Sequence, residues 1–321
     1  MARESFAIGQ VRVRPGSRKD VELPITRLVT GGDVSLPVQI VHGKHDGPTI
    51  WVSAAIHGEE VMGVEVVRRL LATLNPKDLY GTLVAVPVVN VLGFMTGDRY
   101  LPDRRDLNRA FPGSPRGSLA SRIAHLFMEE VVSKCELGID LHTAADRRAN
   151  LPQLRGDLDD DRTYELAKVF GAPVMLHAKL RDGSLRQAAT EAGAMVLLYE
   201  SGEAMRFDEF SIGTGVTGIR RVMKHLGMIA REDEDLAPLS VESRESSWIR
   251  ARGTGIFQLE CELGDIVEAG RRLGRTSDTF GRGGRVVRAD RDGIVIGLTR
   301  APIVNAGDGL VHVAQITSHD G

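Results

Sequence analysis

The chain has 321 residues, of which 42% are hydrophobic and 26% charged, and its formal net charge is -2. This is enough apolar material for a large core, so the length predicts one large domain or one large domain with a small partner. The near-neutral charge balance does not favour nucleic acid or an anionic membrane as the main partner.

Between about residues 38 and 228, short apolar runs alternate with amphipathic segments, a pattern typical of an α/β domain. Short apolar runs predict strands at residues 49–56, 83–89, 137–141, 173–177 and 194–199. Apolar residues at helical spacing predict helices at residues 59–74, 118–132, 164–170, 184–191 and 207–226.

The composition changes after Met228. Residues 231–235 (REDED) and 240–247 are polar, which indicates a linker or, equally well, a solvated surface loop. From Trp248 onward, glycines separate short β runs about every ten residues, which predicts a small all-β module. We therefore expect one domain at residues 1–238 and a small β domain at residues 239–321.

The cysteines and the apolar runs bear on the cellular compartment. Cys135 and Cys261 form neither a C-x-x-C pair nor a disulfide framework, which favours a reducing compartment. The first ten residues contain no apolar segment of the signal-peptide kind. The longest apolar run, residues 83–89, is far too short to cross a bilayer. We expect a cytoplasmic protein.

Polar residues follow several predicted strands at their carboxyl ends, where ligands gather in open α/β sheets. His57 and Glu60 come directly after the strand at 49–56, and at a turn their spacing can direct an imidazole and a carboxylate to one point. Both groups are suitable zinc ligands. Gly58 lets the backbone turn, and Glu59 is expected to serve the helix start. Taken alone, the motif also fits an exposed turn whose carboxylate interacts with the helix dipole.

His142 follows the strand at 137–141 and would complete a two-histidine, one-carboxylate ligand set with an open position for water. Asp140 lies on the same strand face and could orient a ligand imidazole. Taken alone, His142 could equally be a structural histidine at a strand end. The other histidines are interpreted as structural or surface residues: His42, His45, His125, His177, His225, His312 and His319.

Two further motifs carry groups for binding and proton transfer. Asn108 and Arg109 offer an amide and a bidentate guanidinium, which suit a carboxylate, although Arg109 could instead anchor a structural loop. Glu200 follows the apolar run at 194–198 and could accept a proton from a zinc-bound water and pass it to a leaving amine. Glu203 is a rival for that role.

Four motifs occur in a fixed order: HGEE (57–60), DLNRAFPG (106–113), DLHT (140–143) and ESG (200–202). With these motifs the chain resembles the succinylglutamate desuccinylase/aspartoacylase family, which belongs with the zinc carboxypeptidases. The resemblance spans about residues 45–230, roughly the α/β domain. It implies a zinc-carboxypeptidase-like mixed sheet flanked by helices.

The resemblance also implies roles for individual residues. One zinc ion per chain would be held by His57, Glu60 and His142. Asn108 and Arg109 would hold the substrate carboxylate, and Glu200 would be the catalytic base.

In that family an upstream arginine polarises the scissile carbonyl. Arg99 is our choice for it, with Arg104 and Arg105 as alternatives. We identify no counterpart of the family's substrate-pocket tyrosine or of its later substrate arginine. The motifs therefore specify the chemistry more closely than the substrate.

The segment from about residue 260 onward resembles a biotinyl/lipoyl-type barrel-sandwich module. Such modules carry a modified lysine, and this chain has no lysine after Lys224, which excludes the carrier role. We expect a structural or active-site-capping role for this barrel-sandwich-like domain.

The sequence thus predicts zinc-dependent hydrolysis of an amide bond in an N-acyl amino acid, releasing an amine and a carboxylate. One alternative is a metallocarboxypeptidase acting on short peptides. Another is a non-catalytic binding protein with the same fold, which the full set of His57, Glu60, His142 and Glu200 argues against. We expect a small-molecule substrate and no nucleic-acid or membrane partner, and homo-oligomerisation is left open.

Overall fold

The computed structural model describes residues 3–145, 147–230 and 237–316. The α-helices in this part are α1 (Met62–Ala72), α2 (Val91–Thr96), α3 (Leu119–Glu130), α4 (Asp161–Phe170), α5 (Leu185–Glu191) and α6 (Glu209–His225). The strands are β1 (Phe6–Ile8), β2 (Val11–Val13), β3 (Ser17–Arg27), β4 (Asp33–His42), β5 (His45–Ala54), β6 (Tyr80–Val86), β7 (Leu137–Ala144), β8 (Arg148–Gly156), β9 (Val174–His177), β10 (Met195–Glu203), β11 (Val241–Ser243), β12 (Ser246–Arg250), β13 (Gly255–Leu259), β14 (Ile266–Val267), β15 (Arg272–Ser277), β16 (Arg285–Arg288), β17 (Gly293–Thr299), β18 (Ile303–Val304) and β19 (Gly309–Ala314).

One large mixed sheet organises the described residues, with the main strand order β12-β19-β17-β8-β10-β7-β5-β6-β4-β3. Its centre is parallel, because β10, β7, β5 and β6 pair in parallel. Antiparallel pairing of β6 with β4 and of β10 with β8 extends the sheet on both sides. The carboxyl ends of β5, β7 and β10 therefore lie side by side, and this edge holds the predicted polar motifs.

Helices cover both faces of the parallel centre, as such sheets require. On one face, α1, α4 and α6 bury Val66, Phe170 and Ile219. On the other face, α3 and α5 bury Phe127 and Leu185, together with the N-terminal strands. Burial of apolar area at roughly 25 cal/mol per Å² is the main stabilising contribution of such layers.

The C-terminal strands are joined to this sheet. β17 pairs with β8, and Gly297 lies opposite Asn150 in that ladder. A separate four-stranded sheet, in the order β16-β15-β13-β18, packs over the buried Phe257 and Leu273. The division of the chain at residues 238/239 stays a prediction, and the β8–β17 ladder means that both parts contribute to one sheet.

The predicted α/β fold with a C-terminal antiparallel β region is confirmed, and the ten predicted elements are found within a few residues of their expected bounds. The helix expected from residue 59 begins at Met62. Strands β1 to β4, strand β8 and the short helix α2 were not predicted from the sequence. The polar stretch at 231–235 and His319 lie outside the described residues.

The longest described helix, α6, has 17 residues. Within the described part of the chain, no helix combines the length and the apolar character needed to cross a membrane.

Candidate metal centre and active-site cavity

The turn after β5 carries the first two potential metal ligands. Gly58 lies against α2, and a Cβ at this position would come within 2.0 Å of the carbonyl carbon of Gly93. Glycine is needed here because of that close backbone approach, a reason additional to the flexible turn predicted from the sequence. The Glu60 amide donates to the carbonyl oxygen of His57 at 3.1 Å, so Glu60 lies in the turn and precedes α1. This explains why the helix begins later than predicted.

His57, Glu60 and His142 converge on one buried point. Glu60 Oε1 lies 2.7 Å from His57 Nδ1, and Glu60 Oε2 lies 2.8 Å from His142 Nδ1. The potential ligand atoms of the three residues all lie within 4.8 Å of one another. Each residue is at most 4% exposed. The parallel pairing of β5 with β7 brings His142 to His57 and Glu60, which are 85 and 82 positions away in sequence.

A second set of carboxylates faces the other nitrogen of each imidazole. His57 Nε2 lies 3.0 Å from Asp106 Oδ1, and His142 Nε2 lies 2.8 Å from Asp140 Oδ2. The Ser53 hydroxyl donates to Asp140 at 2.7 Å. A carboxylate acceptor at Nε2 favours a proton on that nitrogen, so that Nδ1 could present its lone pair to a bound cation.

Asp140 was predicted from the sequence to orient a ligand imidazole, whereas no role was predicted for Asp106. Asp106 is 49 residues from His57 in sequence, and no spacing rule connects the two positions. The nearest signal was its place at the start of the DLNR motif, next to the residues chosen for substrate binding.

The residues fit a bound cation. Glu60 Oε2 is buried and has no hydrogen-bond partner among the described residues, although His142 Nδ1 is only 2.8 Å away. A cation bound at this centre would supply the partner that Glu60 Oε2 lacks. Two imidazole nitrogens and one carboxylate are the donor set of open catalytic zinc sites.

Glu60, His57 and His142 change one another's pKa values because they are buried side by side. Burial raises the pKa of Glu60, but the two imidazolium groups beside it have the larger combined effect, and the pKa is held well below its usual range. Burial likewise lowers the pKa of His142, but Asp140 and Glu60 outweigh it and the pKa is raised. Burial also lowers the pKa of His57, but the carboxylates of Glu60 and Asp106 have the larger effect, and the pKa is raised. Protons and a metal ion would therefore compete for the same imidazole nitrogens.

Arg99 is the arginine nearest to this centre among the three considered from the sequence. Its Nη2 lies 3.0 Å from Asp106 Oδ2, and its Nη1 lies 3.9 Å from Glu60 Oε1. Arg104 and Arg105 are exposed, and Arg105 instead lies 3.7 Å from Asp103. Arg99 lines the cavity beside the potential ligands.

Asn108 and Arg109 line the same cavity. Asn108 is buried, and its Oδ1 accepts a hydrogen bond from the Leu185 amide at 2.9 Å. Since the start of α5 occupies Oδ1, the Nδ2 group is the part of the side chain left to donate to a ligand. Arg109 Nη1 donates to the carbonyl oxygen of Asn108 at 2.5 Å, which directs the guanidinium along the same segment.

Glu200 lies next to His142, because the two residues are paired in the parallel ladder of β10 and β7. The Asn150 side-chain amide donates to Glu200 Oε2 at 3.0 Å, and Arg155 Nη1 lies 3.7 Å from Oε1. Its rival Glu203 follows a register shift in the strand and lies 3.5 Å from Arg206. Of these two glutamates, both in the described residues, Glu200 alone lines the cavity.

The cavity has a volume of about 710 Å³ and includes a residue of the C-terminal part, Trp248. The Trp248 ring is stacked on His312, with centroids 4.8 Å apart, and the Arg148 guanidinium lies 4.9 Å from the ring centroid. Gly297 and Gly309 lie beneath the Trp248 ring, where a Cβ at either position would come within 3.4 Å of it. The ring is therefore held firmly by two strands.

Sequence reasoning missed the basic side of the cavity. Five basic residues to which it assigned no role line the cavity: Arg148, Arg155, Lys179, Arg181 and Arg186. Burial, with repulsion from Arg155 and Arg181, lowers the pKa of Arg186 to about 10. The available signal was the basic segment around residues 179–186, but nothing in that segment indicates that it folds over the site.

Fold and site together define an α/β protein with a candidate metal centre at the carboxyl ends of its parallel strands. The sequence profile described as "Succinylglutamate desuccinylase/Aspartoacylase catalytic domain" matches residues 46–226, which is more than half of the chain. The chain therefore belongs to the succinylglutamate desuccinylase/aspartoacylase family, as the sequence motifs predicted.

Individual relatives agree with this assignment. The chain is 29% identical over 316 residues to the N-alpha-acetyl-L-2,4-diaminobutyric acid deacetylase of Halomonas elongata, covering 94% of this chain and 92% of the relative. A crystal structure of succinylglutamatedesuccinylase/aspartoacylase from Rhodobacter sphaeroides superposes with a TM-score of 0.83 at 26% identity, covering 94% and 96% of the two chains. The product-bound ectoine utilization protein EutE of Ruegeria pomeroyi superposes with a TM-score of 0.82 at 25% identity, covering 93% and 95%.

Proposed function

We propose that this protein is a zinc-dependent deacylase that hydrolyses the amide bond of an N-acyl amino acid, releasing an amine and a carboxylate. The observation that carries the proposal is the convergence of three elements in one cavity: the His57–Glu60–His142 centre, Glu200, and the Asn108–Arg109 pair. Relatives named as a deacetylase and as a desuccinylase support the substrate class.

His57, Glu60 and His142 would hold one zinc ion, through the two Nδ1 atoms and the Glu60 carboxylate. When bound, such an ion acidifies its water and polarises a carbonyl oxygen. Asp106 and Asp140 keep the two imidazoles in the tautomer and orientation that this binding needs. Arg99 adds a positive charge beside the centre, where it would stabilise the oxyanion that forms from the scissile carbonyl.

Substrate binding is assigned to the segment before α3. Asn108 Nδ2 and the Arg109 guanidinium would bind the free carboxylate of the amino acid. Hydrogen bonds to a carboxylate are charge-assisted and therefore stronger than neutral ones. The basic wall with Arg155 and Arg186 adds to the attraction for an anionic substrate. Fixing the carboxylate orients the amide carbonyl relative to Glu200 and Arg99, an effect of proximity.

Proton transfer is assigned to Glu200. Its Oε2 is occupied by Asn150, so Oε1 is the oxygen that would accept a proton from the attacking water. The water oxygen forms a bond to the carbonyl carbon, the C–N bond breaks, and the proton held on Oε1 moves to the departing nitrogen. One water is consumed, and the acid and the amine are released.

The cavity favours a deacylase over a carboxypeptidase. Trp248 and the segment at 178–186 line it together with the metal centre, so residues from distant parts of the chain limit the space beside Glu200. A volume of about 710 Å³ suits a small metabolite.

The test compares kcat/KM of the zinc-loaded protein for N-acetyl and N-succinyl amino acids with kcat/KM for peptides of two to five residues. We expect turnover of at least one N-acyl amino acid and little release of residues from the longer peptides. Efficient release of C-terminal residues without any deacylation would establish the carboxypeptidase alternative instead.

A further inference from the structure

The carboxylate of Glu200 is held by side chains of β8, a strand that supplies no group to the proposed bond-making and proton-transfer steps. Asn150 is 6% exposed, and its Nδ2 donates to Glu200 Oε2 at 3.0 Å. We propose that Asn150 is a positioning residue for Glu200, which holds the carboxylate so that Oε1 faces the reacting groups. This inference rests on the proposed role of Glu200 as the base.

Glu200 needs such support because of its place in the strand. Its ladders with β7 and β8 are both interrupted directly after it, between Glu200 and residues 202–203. Gly202 has a φ of +68°, which marks the distortion. A glutamate side chain has three rotatable bonds and is costly to order, so a strand end alone would not fix its carboxylate. The buried amide provides a charge-assisted hydrogen bond that selects one orientation.

The position of Asn150 depends in turn on the C-terminal strand β17. Asn150 pairs with Gly297 in the β8–β17 ladder, and a Cβ at Gly297 would lie 3.2 Å from Asn150 Oδ1. The absence of a side chain at 297 thus leaves room for the amide. The C-terminal strands thereby help to place the base without supplying a reacting group.

A second, longer connection leads from β17 to the same glutamate. Gln153 is fully buried, and its Nε2 donates to the carbonyl oxygen of Ile296 in β17 at 3.2 Å. Its Oε1 accepts a hydrogen bond from Arg155 Nε at 3.4 Å, and Arg155 Nη1 lies 3.7 Å from Glu200 Oε1. Asn150 has the shorter and more buried contact, so it is the residue to test.

The experiment is a double-mutant cycle on the zinc-loaded protein, with an N-acyl amino acid that the wild type hydrolyses. The variants are Asn150→Ala, Glu200→Gln and the double variant, with kcat and KM measured separately. We expect Asn150→Ala to lower kcat roughly 10- to 100-fold, the equivalent of one hydrogen bond to a charged group, with little change in KM. In the Glu200→Gln background the same substitution should change kcat by no more than about twofold.

Arg148→Ala is the matched control. Arg148 is on the same strand and lines the same cavity, but it contacts the Trp248 ring rather than Glu200. Arg148→Ala should change kcat by the same factor in the wild-type protein and in the Glu200→Gln variant. Metal content and Tm are measured for every variant. Asn150→Asp keeps the shape and removes the donor, so it should lose as much kcat as Asn150→Ala, and it replaces that variant if the latter does not fold.

An equal loss of kcat from Asn150→Ala in both backgrounds would overturn the positioning role. So would full activity of Asn150→Asp. Failure of the proposed function looks different, because Glu200→Gln alone would then keep wild-type kcat.

Discussion

The two walls of the cavity are built in different ways. The metal-side wall is formed by His57, Glu60 and His142, which lie in short motifs at the ends of neighbouring parallel strands, and by Arg99 in the loop after α2. The β8-side wall, formed by Asn150, Arg155, Arg148 and Trp248, exists only because β8 pairs with both β10 and β17. In the proposed mechanism the first wall supplies the metal ligands and the arginine beside them, and the second wall would position Glu200 and limit the space next to it.

Substitutions on the metal-side wall should have the largest effect. Replacing His57, Glu60 or His142 by alanine would remove one of the three proposed ligands, so each variant should lose zinc binding and activity while it stays folded. His125→Ala is a suitable control, because His125 lies on the surface 3.4 Å from Glu129. Zinc content and circular dichroism of the four variants measure the effect. Wild-type zinc content in any of the three ligand variants would show that the ligand set is wrong.

Glu200→Gln should come next in size. The change keeps the shape of the side chain and removes the base, and general acid–base catalysis contributes typically ~10²–10⁴-fold. We expect the loss in kcat, with zinc retained. Glu203→Gln is the matched control, because Glu203 is three residues away and lies beside Arg206. If the control variant loses kcat and Glu200→Gln does not, the two roles must be exchanged.

Arg109→Ala should have a moderate effect on substrate binding. Losing one charged hydrogen-bond partner costs roughly 1.5–3 kcal/mol, which corresponds to about 10- to 150-fold in kcat/KM. Arg105→Ala provides the comparison, since Arg105 lies in the same segment and is also exposed, but unlike Arg109 it does not line the cavity. Steady-state kinetics of both variants should separate them. Equal values for the two would assign Arg109 a structural role.

The last prediction concerns His312, which lies behind Trp248 on the β8-side wall. Its substitution should have the smallest effect, and that effect is on stability at acidic pH. Burial, with the charges of Arg155 and Arg148, lowers the pKa of His312 from 6.5 to about 3. The folded state therefore favours the neutral imidazole, and this contribution is present above pH 6.5 and is lost as the pH falls toward 3. At pH 5 the loss is about 2 kcal/mol of the free energy of unfolding.

His312→Phe tests this value, because it keeps a ring against Trp248 and removes the titration. Urea denaturation at pH 7 and pH 5 should show a smaller acid destabilisation in the variant than in the wild type. The same pH dependence in both proteins would mean that His312 is not the group responsible.

Sequence reasoning was most successful where structure is local. The strand before His57, the strand before His142 and the run before Glu200 each have an apolar pattern that ends at the polar motif. Order and spacing therefore indicated which side chains meet at one edge of the sheet. The start of α1 was misplaced because the turn at 57–61 has helix-compatible residues, and tertiary contact with α2 keeps it out of the helix.

The β8-side wall could not be predicted for a physical reason. β8 contains Pro152 and alternates polar residues toward the cavity, so its sequence RANLPQLRG lacks the apolar run of a central strand. It forms a strand because it pairs with β10 and β17, which begin at residues 195 and 293, far along the chain from its end at residue 156. The role of Asp106 could not be predicted for the same reason: it meets His57, 49 residues away in sequence, only in the folded chain.

The most direct test of the metal-dependent deacylase is the activity of the wild-type protein before and after removal of its metal. The purified protein should contain one zinc ion per chain and hydrolyse an N-acyl amino acid. Dialysis against a chelator should abolish that activity, and one equivalent of zinc should restore it. Full activity in a sample shown by elemental analysis to be free of metal would contradict the account.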